Sequence, residues 1–332
     1  MSAGLSRRAL LLGASSSVLA TACARACAGN RAESTPTIPE PPFIPTPAPM
    51  LDAGADASPD PGELHGSVRL QRWSLGAGDG GPAEVVVLVP EGPKDARYPV
   101  VFALHGRGEA VKEPKEGAMG WPRDYALLQA IERIQKPPIT DKDYQGLSEP
   151  VRLGQINAAL AARSYAGLIV VCPYMPDIDL RKDAPQRSYG RFLLDTLLPL
   201  VRERTPARAT AESTGIDGVS LGGAIAMFVG FENPQAFGCV GGLQPAIQAA
   251  DGGLWASRAA KAREKNPKLG IRLLTSTKDY FRDGIYEASR GMRRLNVAHT
   301  FLDVPGPHDY IFNRGPGAYE LLFQQERVLA GR

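Results

Sequence analysis

From Val68 onward the apolar positions fall into short blocks of two kinds. Val68-Arg69-Leu70-Gln71-Arg72-Trp73 alternates apolar and polar side chains, the period-two pattern of a half-buried edge strand. Gly76 to Gly81 predicts a turn into a β-branched block, Glu84 to Val89, bounded by Pro90. Pro99-Val100-Val101-Phe102-Ala103-Leu104 and Leu168-Ile169-Val170-Val171-Cys172 are continuously apolar, which fits parallel strands covered on both faces. Further strands are expected up to Ser220, over Phe237–Leu243, Ile271–Ser276 and Ala298–Val304. Between them, helical spacing marks 125–134, 153–163, 187–204, 224–231, 286–295 and 319–329. Alternating strands and helices predict an α/β fold: a mostly parallel sheet with helices on both faces and right-handed crossovers. Residues 111–149 form a long irregular insertion, placed where it would roof a site.

The N-terminal region has none of this patterning. Ser6-Arg7-Arg8-Ala9-Leu10-Leu11, an uncharged run from Ala9 to Ala22 and small residues before a cleavage point describe an export signal over residues 1–22. The arginine pair resembles a twin-arginine signal, with an ordinary secretory signal as the alternative. The run is too short for a membrane span of roughly 20 residues. Leu19-Ala20-Thr21-Ala22-Cys23 resembles a lipoprotein box, with Cys23 as the acylated thiol, Cys27 as a poorer rival and plain cleavage as the alternative. Residues 23–65 read as a proline-rich tether, with nine prolines between Pro36 and Pro61 and few large apolar residues to offset ordering entropy. A docking ligand is the minor alternative there. The folded domain is expected over 66–332.

Composition narrows the function classes. The 332 residues are 43% apolar and 22% charged, enough for a full core. The net charge of +3 falls to +1 once Arg7 and Arg8 leave with the signal, which gives no electrostatic reason to expect nucleic acid. Four cysteines and four histidines show no metal-ligand spacing and are too few for a disulfide scaffold. No metal or cofactor is expected. Cys172 and Cys239 read as small buried hydrophobes.

The candidate chemistry centres on Gly218-Val219-Ser220-Leu221-Gly222, a G-x-S-x-G match where a strand turns into a helix. The glycines permit a strained turn that presents the Ser220 hydroxyl, and the helix start favours developing negative charge. A hydroxyl needs a base within hydrogen-bond reach. Two histidines follow Ser220. His299 falls at the start of a strand, whereas His308 lies in the loop Pro305-Gly306-Pro307-His308-Asp309-Tyr310 at the sheet's C-terminal edge. Asp279 follows a strand and is the expected orienting carboxylate, with Asp283 and Asp303 as rivals. Ser…Asp…His is the chain order of α/β-hydrolases. Oxyanion donors are expected from the backbone N–H of Leu221 and of Gly106 or Arg107, in His105-Gly106-Arg107-Gly108. His105 itself reads as structural.

Four stretches together resemble the esterase D-like group of α/β-hydrolases, which includes enterochelin and feruloyl esterases: Pro99–Gly108, Gly218–Gly223, Pro234–Gly238, and Asp279 with Pro305–Tyr310. The resemblance spans most of 84–330. It departs at Pro307, at the 111–149 insertion, and at Gly241-Gly242-Leu243-Gln244, where the group carries small polar residues. It implies a serine esterase acting through an acyl-enzyme on a small-molecule or polysaccharide-linked ester. The N-terminal signal adds a cell-envelope or secreted location, with membrane attachment where the Cys23 lipoprotein box is used rather than plain cleavage. Trp121, Tyr125 and Tyr144 are candidate contacts for an aromatic or sugar moiety, with packing as the commoner role. The alternatives are a peptidase or acyltransferase of the same fold, or a surface lipoprotein that binds without turnover.

Overall fold

The computed structural model describes residues 62–78 and 81–331. The expected export signal, Cys23, and the tether as far as residue 61 lie outside them. Among the described residues nine strands form one sheet: β1 (Glu63–His65), β2 (Val68–Gly78), β3 (Gly81–Pro90), β4 (Val100–Leu104), β5 (Ile169–Pro173), β6 (Thr214–Gly218), β7 (Cys239–Leu243), β8 (Gly270–Lys278) and β9 (Thr300–Pro307). Their order is β1-β2-β3-β5-β4-β6-β7-β8-β9. The first three strands and the β3–β5 pair are antiparallel, and every pair from β5 to β9 is parallel.

The apolar blocks of the parallel strands divide between two cores. In β4, Val100, Phe102 and Leu104 face one core while Val101 and Ala103 face the other, so every residue of the strand is buried. Helices α1 (Leu127–Ile134), α2 (Pro150–Ala162) and α8 (Ala318–Leu329) cover one face. Helices α3 (Asp183–Arg191), α4 (Leu198–Arg204), α5 (Leu221–Glu232), α6 (Gly252–Lys265) and α7 (Arg282–Arg294) cover the other. Two-sided burial is what the continuous Val/Ile/Leu runs require.

Several boundaries differ from the sequence expectation, each for a local reason. The segment read as tether to His65 already carries β1, whose backbone pairs Glu63 with Leu70 although its side chains stay largely exposed. The expected 125–134 helix begins at Leu127, because Ala126 takes a left-handed conformation at φ +56. The expected 187–204 helix is α3 and α4 joined through a wide π-helical turn, Phe192–Leu197. Helix α6 has no counterpart in the pattern reading, since alanines 256, 259 and 262 supply most of its buried face beside Trp255. The 111–149 insertion packs down rather than arching over. Trp121, Tyr125 and Tyr144 are about 98% buried or more, with Trp121 edge-on to Tyr125 and Tyr144 stacked on Tyr319. Their rings are core, which removes them as substrate contacts.

Candidate active site

Four strand ends build the site. Strand β6 ends at Gly218, and α5 begins at Leu221, leaving Val219 and Ser220 to make the whole turn. Ser220 pays for it with φ +56 and ψ −118, a strained conformation for a residue with a Cβ. Neighbouring strands lock that conformation: the Val219 N–H donates to the Leu104 carbonyl at 3.1 Å and the Ser220 N–H to the Leu243 carbonyl at 3.0 Å. A side chain at Gly222 would strike the Leu104 and His105 carbonyls, so glycine there is a condition of close helix–strand contact.

The last two strands deliver the partners. Asp279 directly follows β8, and His308 directly follows β9, which runs on to Pro307. His308 Nε2 stands 2.9 Å from Ser220 Oγ, and its Nδ1 stands 2.7 Å from Asp279 Oδ1. Asp279 is held in turn by the Thr275 hydroxyl on Oδ2 at 2.8 Å and the Phe281 N–H on Oδ1 at 3.0 Å, and its carboxylate is fully buried. With Nδ1–H donating to Asp279, the Nε2 lone pair is left to accept the serine proton. The rival residues are engaged elsewhere. Asp303 pairs with Arg282 at 2.6 Å and accepts from the Tyr286 hydroxyl, and Asp283 lies in the first turn of α7. His299 bonds the Ser289 hydroxyl and sits just before β9.

Of the expected oxyanion donors, one is spoken for. The Gly106 N–H donates to the Tyr125 hydroxyl at 3.1 Å, so Gly106 does not serve that role. The Arg107 N–H, at the start of the single turn Arg107–Ala110, and the Leu221 N–H, at the start of α5, are first-turn donors with no acceptor inside their own helices. Residue 106 lies beside the serine, within 3.7 Å of Ser220 Cβ for a side chain built there. His105 is structural: its Nε2 accepts the Met175 N–H at 2.9 Å, which leaves Nδ1–H for the Gly106 carbonyl at 3.0 Å. Burial holds its pKa below the ordinary 6.5, against the opposing pull of that carbonyl.

Sequence reasoning passed over a polar cluster beside the His105–Gly108 loop. Glu109, about 99% buried, accepts from the Tyr125 hydroxyl and, at 2.5 Å, from the Tyr310 hydroxyl. Burial, then the Glu109 charge, pushes the Tyr125 phenol well above 10, and burial with the Glu109 hydrogen bond raises Tyr310, so both remain donors. No sequence signal joins residues 109, 125 and 310. At the mouth, Tyr280 is 82% exposed with its ring 5.3 Å from that of His308, and Phe281 meets the imidazole edge-on. Among the described residues no three His, Cys, Asp or Glu side chains converge to hold a metal ion, and no helix is long and apolar enough to cross a membrane.

Comparison with known proteins bears on the fold and the class of reaction. Residues 151–281 match the model of the Esterase family, a segment that contains Ser220 and Asp279 and stops short of His308. No curated protein matches the chain. Among solved structures, a ferulic acid esterase superposes with a TM-score of 0.60 at 17% identity, over 79% of this chain and 99% of its own. An S-formylglutathione hydrolase from Staphylococcus aureus gives 0.52 at 16% identity, over 78% of this chain and 96% of its own. The enterobactin esterase from Shigella flexneri gives 0.51 at 18%, over 82% of this chain and 62% of its own. The chain therefore has the α/β-hydrolase fold, and the Esterase match over residues 151–281 supports a hydrolase of the carboxylic ester class.

Proposed function

We propose that the protein is a serine esterase in which Ser220, His308 and Asp279 form the catalytic triad. One observation carries the reading: a single imidazole bridges a buried carboxylate at 2.7 Å and a hydroxyl at 2.9 Å, on a strained strand–helix turn. His308 takes the Ser220 proton as Oγ attacks the ester carbonyl, and the imidazolium is stabilised by Asp279. The Leu221 and Arg107 N–H groups receive the negative oxygen of the tetrahedral intermediate. His308 then protonates the leaving alcohol, and water attacks the acyl-enzyme by the same route to release the acid. The exposed Tyr280 ring beside His308 supports a small-molecule ester with a flat ring near its scissile bond, and one of the similar solved structures is a ferulic acid esterase.

The test is p-nitrophenol release from short-chain p-nitrophenyl esters by wild type and Ser220→Ala. The expected result is an initial burst and steady turnover that vanish in the variant. Equal, background-level release from both overturns the esterase reading.

We also propose export, with lipid attachment at Cys23. The Arg7-Arg8 signal and the small residues before Cys23 support it, and two or three acyl chains would anchor the protein where one would not. Membrane-fraction protein that turns soluble on Cys23→Ser is expected; unchanged partitioning overturns the anchor.

A further inference from the structure

The oxyanion loop and the His308 loop belong to strands β4 and β9, far apart in sequence, yet one buried carboxylate holds both. Glu109 Oε2 accepts from the Tyr125 hydroxyl, whose own oxygen accepts the Gly106 N–H at 3.1 Å. Glu109 Oε1 accepts from Tyr310, two residues beyond His308, at 2.5 Å. Tyr310 also closes over the loop itself: a side chain added at Gly108 would meet its hydroxyl oxygen at 3.3 Å. Lys112 lies 3.4 Å from Oε1 and 3.0 Å from Asp124, which balances the buried charge. The cluster thus anchors the His105–Gly106 peptide plane, immediately before the plane that carries the Arg107 N–H, whose carbonyl accepts the His105 Nδ1–H at 3.0 Å.

We propose that Glu109 is a positioning residue for the esterase reaction, clamping the oxyanion loop and the His308 loop in register through Tyr125 and Tyr310. A buried acid that merely balanced Lys112 would need neither tyrosine. Two hydroxyls donating to one carboxylate, one relaying to the backbone beside the nucleophile and one to the chain beside the base, couple the two halves of the machinery. Because the Arg107 N–H is useful only at the place where the oxyanion develops, slackening the clamp weakens the transition state more than the bound substrate. A displacement near 1 Å costs about 100-fold, and outright loss of one oxyanion donor about 100- to 1,000-fold.

This inference rests on the esterase reading, so the test separates the two. Wild type, Glu109→Gln, Tyr310→Phe and Ser220→Ala are assayed for ester turnover and for the rate at which a fluorophosphonate labels Ser220. In labelling, the Oγ–P bond forms, fluoride leaves, the serine proton passes to His308, and the phosphoryl oxygen occupies the oxyanion site. Glu109→Gln is expected to lower kcat by about 10- to 100-fold with KM within about two-fold, and to slow labelling in proportion. Tyr310→Phe, altered at a partly exposed hydroxyl and safe for folding, is expected to lower both by about 3- to 10-fold. Variants that fold and match wild type in kcat and labelling overturn the clamp, as does a change confined to KM. Should Glu109→Gln fail to fold, Tyr310→Phe alone decides. A wild type that neither turns over nor labels overturns the esterase reading, and the clamp with it.

Discussion

The Gly106 N–H donates to the Tyr125 hydroxyl at 3.1 Å, which leaves the neighbouring Arg107 N–H as the proposed oxyanion donor of this loop. The Arg107 side chain points away into an exposed pair with Asp177 at 2.8 Å. Arg107→Ala is therefore expected to retain activity within about three-fold, since exposed pairs contribute little. Arg107→Pro deletes the N–H while suiting the first position of a helical turn, and Gly106, at φ −79 and ψ 179, already has the extended backbone that a following proline needs. A loss of about 100- to 1,000-fold in kcat is expected for Arg107→Pro at unchanged thermal stability. Full activity in that variant would return the donor role to another group.

Asp279→Asn keeps the shape of the triad but offers an amide where His308 Nδ1–H needs an acceptor. A drop of about 10,000-fold in kcat is expected, by the tautomer argument that applies to such triads in general. Asp283→Asn and Asp303→Asn should leave kcat within about two-fold, because neither carboxylate reaches the imidazole. Steady-state kinetics on the three variants distinguishes them directly.

The proposed triad was legible as a constellation because each member sits at a strand end that apolar patterning marks: Ser220 after β6, Asp279 after β8, His308 after β9. The alternation of β4, β5 and the following elements likewise exposed the parallel sheet. Two kinds of feature stayed hidden. Helix α6 hides because alanine signals burial weakly, so a face of alanines 256, 259 and 262 leaves little periodicity to read. The Glu109 cluster hides because its members are separated by 16 and 201 residues and meet only through the fold. Choosing between Gly106 and Arg107 needed Tyr125 too, a side chain whose ring reads as core and whose hydroxyl does the work.

Tyr280 stands almost free of the protein beside His308, and nothing in packing explains a ring left 82% exposed. If it stacks on the ring of an ester, Tyr280→Ala raises KM for an aryl-bearing ester while leaving that for an acetyl ester unchanged. Aromatic pairs contribute about 0.5–1.5 kcal/mol beyond area burial, so the ratio of the two KM values should move by about 2- to 10-fold. Equal shifts for both esters would remove Tyr280 from substrate recognition.

Beneath the Val219–Ser220 turn, Arg272 and Asp217 form a fully buried ion pair. Asp217 also accepts the Gly218 N–H at 2.8 Å and the Gln325 amide at 2.9 Å. This explains the departure at Gly241: any side chain there would occupy the place of the Asp217 carboxylate. Arg272→Met leaves that carboxylate buried without its cation, a loss of about 3–5 kcal/mol by urea unfolding. Adding Asp217→Asn, which removes the charge but keeps an acceptor for Gly218, is expected to recover part of the loss. A double variant as unstable as the sum of the singles would mean the two side chains act independently.

His105 sets an acid limit on the fold. Its folded pKa lies below 6.5 because burial disfavours the imidazolium, so the unfolded chain binds the proton first as pH falls. Stability from this residue is therefore complete above about pH 6.5 and declines below it, until the folded protein is protonated as well. Protonation would also break the bond in which Nε2 accepts the Met175 N–H, beside the oxyanion loop. The slope is at most about 1.4 kcal/mol per pH unit for one such group. Urea midpoints at pH 7.5, 6.5 and 5.5 should fall more steeply for wild type than for His105→Asn, which starts lower but lacks the titration. Parallel slopes in the two proteins would locate the acid sensitivity elsewhere.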